Sequence, residues 1–130
     1  VLPDFFSNIL KGQDITLLSD GNATRTFCYI SDAITGYLLI LLSNENGEPF
    51  NVGTDEPEIS MFNLAKLLID LTGSQSTIKF EKSLDLEYLS DNPQRRCPDL
   101  SKIKTILGFK PKMSLNDGLI NTFNYYKSEL

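Results

Sequence analysis

Apolar residues change their spacing along the chain, and each change marks an element. Phe5, Phe6, Ile9 and Leu10 fall at helical intervals and end before Gly12, so residues 3–10 are predicted helical. Residues 14–18 read as a short strand closed by the turn pair Asp20-Gly21. Residues 26–30, Thr-Phe-Cys-Tyr-Ile, are rich in β-formers and predict a second strand. Ser31 or Asp32 then caps a helix carrying Ile34, Tyr37, Leu38, Leu41 and Leu42. A polar loop containing Asn46-Gly47 covers 43–49, and 50–53 form a very short apolar strand.

Ser60 is placed to cap a helix over 61–71, with Met61, Leu64, Leu68 and Leu71 in one stripe and Gly73 at its end. Residues 77–80 predict a strand. The stretch 81–93 is acidic and without period, and is expected to be a long functional loop. Asp99 is expected to cap a helix that turns Leu100, Ile103, Ile106 and Leu107 inward before Gly108 and the breaker Pro111. Ser114 and Asp117 resemble a capping box, with Asp in place of Glu or Gln. They open a last helix with Leu115, Leu119, Phe123 and Tyr126 on one face. The expected fold class is α/β and mainly helical, with a few short strands too scattered to close a sheet of their own. Residues 1–130 therefore read as one region of a longer chain, which the opening Val1-Leu2-Pro3-Asp4, without Met or signal-peptide pattern, also suggests.

Charge narrows the partners. Twelve Lys and Arg against 17 Asp and Glu give a net charge of −5. No nucleic acid and no membrane surface is expected to bind, since both want a basic face. The chain has no His, so it holds no Ser-His-Asp triad, no Cys-His pair and no His-ligated metal. Cys28 and Cys97 show no CxxC spacing and read as core fillers of a reduced, cytoplasmic protein, a disulfide being the alternative. The acidic run Asp55, Glu56 and Glu58 is broken by Pro57 and reads as a solvated loop, not a metal site.

The three arginines are the candidate chemistry: Arg25, Arg95 and Arg96. A guanidinium fork matches two phosphate oxygens and keeps its charge at any relevant pH. If two of these loci converge they make a diphosphate clamp; if not, they are solvated side chains paired with acids such as Asp91 or Asp99. Asn51, inside the apolar stretch 50–53, needs a partner and either holds a turn or faces a ligand. No catalytic set is visible. No glycines fit GxGxxG or GxxGxxG, and no Tyr has a Lys four positions on.

Several segments, taken in order, resemble one family. Thr24-Arg25-Thr26-Phe27-Cys28-Tyr29-Ile30-Ser31-Asp32 is similar to the TRxFxYVxD segment of extended short-chain dehydrogenase/reductases acting on nucleotide sugars. Phe50-Asn51-Val52-Gly53 resembles their (Y/F)N(I/V)G strand, and Glu58-Ile59-Ser60 with the Leu-rich helix resembles the segment after that strand. Asp91-Asn92-Pro93-Gln94-Arg95-Arg96-Cys97-Pro98-Asp99 resembles DDPxxRxPD. Leu107-Gly108-Phe109-Lys110-Pro111 and Leu115-Asn116-Asp117-Gly118-Leu119 resemble LGWxP and LxxGL. Within this NAD-dependent epimerase/dehydratase family the UDP-glucuronate decarboxylase group is most similar. The dTDP-glucose 4,6-dehydratases and UDP-sugar 4-epimerases are the runners-up.

The resemblance implies a C-terminal substrate-binding part whose Rossmann NAD-binding part lies elsewhere in the chain. NAD would be bound by that other part and no cofactor by this one; the fragment alone would be inactive. By matched motif, Arg25 would contact the diphosphate with Asn51 beside it. Leu18 would lie along the base in place of an aromatic. Asn92 would sit near the ribose, where many members have Asp. Arg96, with Arg95 as neighbour, would approach the phosphates or base. The implied partners are a UDP- or dTDP-linked sugar, the protein's own Rossmann domain and, for the full-length enzyme, a second copy in a homodimer. The implied reaction takes UDP-glucuronate to UDP-xylose and carbon dioxide. A non-catalytic binding or assembly module is the reading from another class.

Overall fold

The computed structural model describes residues 1–81 and 93–129. The first helix, α1 (Leu2–Leu10), has Pro in its first turn and buries Phe5, Phe6 and Ile9. β1 (Ile15–Leu17) comes next and pairs in parallel with β4 (Ile78–Phe80), Ile15 opposite Ile78. Between them, α3 (Met61–Thr72) buries Leu64, Ala65 and Leu68. Its start is capped as expected, Asn63 N–H donating to Ser60 Oγ at 3.2 Å. The amides of Met61 and Phe62 donate to the carbonyls of Ala23 and Gly21, both at 3.0 Å, so the helix start is tied to the chain at residues 21–23. Gly73 ends the helix at φ 65°, a conformation that needs no Cβ.

These elements and the last helix, α5 (Leu115–Ser128), share one apolar cluster. Phe6, fully buried, lies 6.0 Å from the Phe123 ring and 5.5 Å from the Tyr126 ring, centroid to centroid. A second cluster joins Leu100 and Ile103 of α4 (Ser101–Leu107) to Phe109, with Ile40, Phe50, Val52 and Leu107 against it. α2 (Ile30–Leu41) lies on this second cluster through Gly36. A Cβ there would stand 2.5 Å from Val52 Cγ1 and 3.1 Å from the Phe109 ring, so only glycine permits the approach.

Among the described residues, the other strands form a small sheet in the order β3-β2-β5: β3 (Ile59–Ser60), β2 (Thr24–Arg25) and β5 (Arg95–Arg96). β2 runs antiparallel to β3 and parallel to β5. The fold is thus mixed α/β and mainly helical.

Five expectations are corrected. Residues 26–30 form no strand: the ladder ends at Arg25, and Phe27 packs on the first cluster instead. Residues 50–53 form no strand either, because Phe50 and Val52 fill the second cluster. Neither Ser31 nor Asp32 caps α2, whose N-cap is Tyr29. Asp32 is buried, and its carboxylate accepts from Lys112 N–H at 2.9 Å and Met113 N–H at 2.8 Å, clasping α2 to the chain that enters α5. Ile106 of α4 is exposed, not inward, and Asp99 reaches the helix start by accepting from Ser101 N–H at 2.8 Å, with Leu100 as N-cap. The loop expected over 81–93 lies, apart from its ends, outside the described residues.

Asp14 clamps the outer end of the β1–β4 pair. It accepts from Thr77 N–H at 2.9 Å and Thr77 Oγ1 at 2.8 Å, and meets Lys79 Nζ at 2.7 Å. The Lys79 ammonium foremost, then Thr77, holds its carboxyl down from 3.8 to about 2. A depressed carboxyl stabilises the fold fully above its ordinary pKa and loses that contribution as pH falls through the folded value. Protection of the β1 and β4 amides from hydrogen exchange is therefore expected to fall between pH 3.8 and about 2. Asp14→Asn is expected to lower protection at neutral pH and to meet the native protein below that window. A variant tracking the native protein at every pH contradicts the clamp.

Candidate functional site

Successive residues of a strand face opposite sides of the sheet, and the ladder β3-β2-β5 uses this to sort its side chains. Register sets Thr24 opposite Arg95 and Arg25 opposite Arg96. On one side, Thr24 Oγ1 donates to Glu58 Oε1, and Arg95 grips Glu58 Oε2 through Nε at 3.0 Å and Nη2 at 2.9 Å. The Thr24 hydroxyl foremost, then the Arg95 guanidinium, holds the Glu58 carboxyl below its ordinary range. Glu58 in turn raises Arg95.

The other side is a groove. Arg25 and Arg96 together line a cleft of about 360 Å³ with Thr26, Cys28, Gly53 and Cys97. The same two arginines line an adjoining cleft of about 370 Å³ with Ser19, Phe27 and Met61. Ser19 and Met61 also border a third cleft, about 330 Å³, which Leu18 lines. The shared walls make one path from Gly53 past the paired arginines to Leu18. Arg25 Nη1 also donates to the Thr24 carbonyl at 2.7 Å, which draws that end of the guanidinium back over the strand.

The candidate residues therefore separate. Arg25 and Arg96 are brought together, and Leu18, 42% exposed, stands at the far end of the same path. Arg95 is turned away and bound to Glu58. Asn51 lines neither arginine cleft; its Nδ2 donates to the Asp99 carbonyl at 3.0 Å, which holds the turn into α4. Asn92 lies outside the described residues, as does Asp91. Cys28 and Cys97 are not core fillers: both are free thiols, half-buried, in the wall of the first cleft. Burial, and then the Asp32 carboxylate, pushes the Cys28 thiol upward, so it stays protonated at neutral pH. Residue-by-residue reading missed Glu58, which fixes Arg95. Its signal would have been an acid one residue before a strand facing an Arg strand, readable only once the pairing is known.

Chemically the groove offers two permanent cations side by side, hydroxyls at Thr26 and Ser19, and apolar walls. That suits an elongated ligand with a central anion. Among the described residues no group of three or more His, Cys, Asp or Glu could hold a metal, and no helix is long and apolar enough to cross a membrane.

Comparison with known proteins gives a consistent result. The model of the NAD dependent epimerase/dehydratase family matches residues 1–53. UDP-glucuronic acid decarboxylase 1 of Xenopus tropicalis is 36% identical over all 130 residues, which span 29% of its length. The chain is similar to the Bacillus cereus UDP-glucuronic acid 4-epimerase, solved with UDP-glucuronic acid and NAD, at TM-score 0.87 and 30% identity. That likeness covers 99% of this chain and 40% of the epimerase. A dTDP-glucose 4,6-dehydratase from Streptomyces venezuelae matches at TM-score 0.85 and 28% identity, over 97% of this chain and 38% of the dehydratase.

Proposed function

We infer, from the premise that this chain is kin to the NAD dependent epimerase/dehydratase family, that it is the nucleotide-sugar-binding part of such an enzyme. The observation that carries the reading is the pairing of Arg25 with Arg96 across neighbouring strands, above one groove. Two guanidinium forks so placed suit a pyrophosphate. The path toward Leu18 suits a base and ribose, and the path toward Gly53 suits the sugar. The parent reaction that the identities favour is decarboxylation of UDP-glucuronate to UDP-xylose and carbon dioxide. The likeness to an epimerase and a dehydratase supports those activities as the second reading.

The chain spans only 29% of the Xenopus decarboxylase, and on this reading the rest of the reaction is the work of a Rossmann part of the same polypeptide. These 130 residues contain no glycine-rich phosphate loop and no Tyr-Lys pair at the required spacing, so they do not fit NAD, and no hydride step is assigned to them. What they supply is binding and orientation of the sugar nucleotide, a large part of the advantage of a positioned reactant. The outer face of α2 fits this division. Ile30, Ile34, Tyr37, Leu38, Leu41 and Leu42 are 49–81% exposed, an apolar surface suited to the Rossmann part of the same polypeptide. Two free thiols support a reducing, cytoplasmic setting. The intact enzyme is read as a homodimer.

Calorimetric titration of the full-length protein with UDP, dTDP and their sugars tests the reading. A saturable UDP or dTDP site is expected, and carbon dioxide release from UDP-glucuronate in the presence of NAD selects the decarboxylase. The 130-residue chain by itself is expected to give no turnover with the same reactants. Turnover by the short chain would overturn the division of labour, and absence of any nucleotide binding by the full-length protein would overturn the reading.

A further inference from the structure

Cys28 and Cys97 have no role in holding a diphosphate, yet both stand in the wall of the cleft that Arg25 and Arg96 line. They reach it from separate stretches. Cys97 directly succeeds Arg96 of β5, and Cys28 lies three residues beyond Arg25 of β2, the strand paired with β5. Both sulfurs make only weak contacts. Cys97 Sγ is 3.5 Å from the Asp55 carbonyl oxygen, and Cys28 Sγ is 3.6 Å from that of Tyr29. Neither is closed in a disulfide. The surroundings of the two differ. Cys97 is the chain neighbour of Arg96, whose side chain lines the same cleft. Cys28 is partly desolvated and lies near the Asp32 carboxylate.

We propose that this pair of thiols makes the arginine cleft a modification site. A small anionic disulfide forms a mixed disulfide there, at Cys97 first, and the adduct and the nucleotide sugar exclude one another. The proposal rests on the nucleotide-sugar reading of the cleft. The guanidinium groups that suit a pyrophosphate equally draw in carboxylates on a disulfide reagent, and a cleft of about 360 Å³ has room for one half of such a molecule. The exchange balances without a further oxidant. The Cys97 thiolate attacks one sulfur, the reagent's S–S bond breaks as the protein–reagent S–S bond forms, and the other half leaves as a thiolate that can take up the proton given up by Cys97. Burial and the Asp32 carboxylate disfavour the Cys28 thiolate, which orders Cys97 ahead of Cys28.

The experiment uses the full-length protein and dithiobis(nitrobenzoate), an anionic disulfide whose leaving thiolate is coloured. The native protein, Cys28→Ser and Cys97→Ser are followed side by side, so that each phase of colour release is assigned to its thiol. Cys97→Ser is expected to remove a fast phase that Cys28→Ser retains. UDP at a hundred times its dissociation constant is expected to slow that phase roughly a hundredfold, in proportion to the fraction of empty sites. Calorimetry of the labelled native protein is expected to show no UDP binding until dithiothreitol reverses the adduct, whereas Cys97→Ser treated for the same time, short of the slow Cys28 phase, keeps the UDP dissociation constant it had before treatment. A fast phase that survives in Cys97→Ser overturns the proposal. So does an unslowed phase in a protein that binds UDP by calorimetry, and in that case the nucleotide-sugar reading stands. An unlabelled protein that binds no UDP overturns that reading and the proposal with it.

Discussion

Arg25→Ala in the full-length protein is expected to weaken binding of UDP-glucuronate by about 1.5–3 kcal/mol, the scale of a hydrogen bond to a charged group left without its partner. That is roughly a 10- to 150-fold rise in dissociation constant. The loss should come from the site and not from the fold. Arg25 holds its sheet position through backbone pairing with Ile59 and Arg96, which alanine keeps. Arg25→Lys restores charge without the planar fork and is expected to recover only part of the affinity. Arg95→Ala serves as the internal contrast, since Arg95 is held on the opposite side by Glu58. It should affect binding far less than Arg25→Ala. An unchanged dissociation constant in Arg25→Ala removes the guanidinium from the site.

Phe6→Ala carries the largest expected loss of stability, about 3–5 kcal/mol. The ring is fully buried between α1 and α5, against Phe123 and Tyr126, and alanine leaves a cavity its neighbours cannot fill. Because the intact protein need not unfold in one step, the change is best read as amide protection of α1 and α5 by hydrogen exchange. A shift below about 1 kcal/mol would mean that the two helices do not depend on this contact.

What could be read from the sequence was whatever the chain specifies locally. Ser60 announces α3 because its hydroxyl finds Asn63 three residues on, and Gly73 ends it within one turn. The faces of α1 and α5 come from spacing alone. Distant partners broke the same logic. Phe27 and Tyr29 look like strand residues, but Phe27 packs on the first cluster and Tyr29 lies against Gly118 of α5. Asp32 has the chemistry of a cap, yet its carboxylate is taken by amides of Lys112 and Met113, at the far end of the chain. Arg95 and Arg96 are equivalent as letters. Only the pairing with β2 turns one toward Glu58 and the other toward the groove. The family motif singles out Arg96 and leaves Arg95 as its neighbour, and the pairing of β5 with β2 gives the side that each faces.

The two-residue strands have a consequence for how such a protein can diversify. Arg25 and Arg96 are held side by side by backbone pairing between β2 and β5, and Glu58, from the chain between them, braces the same register by holding Thr24 and Arg95. Segments in between can lengthen, shorten or exchange their surface residues over generations while the two cations keep their spacing. A one-residue slip of β5 against β2, by contrast, would bring Arg95 into the groove and turn Arg96 out.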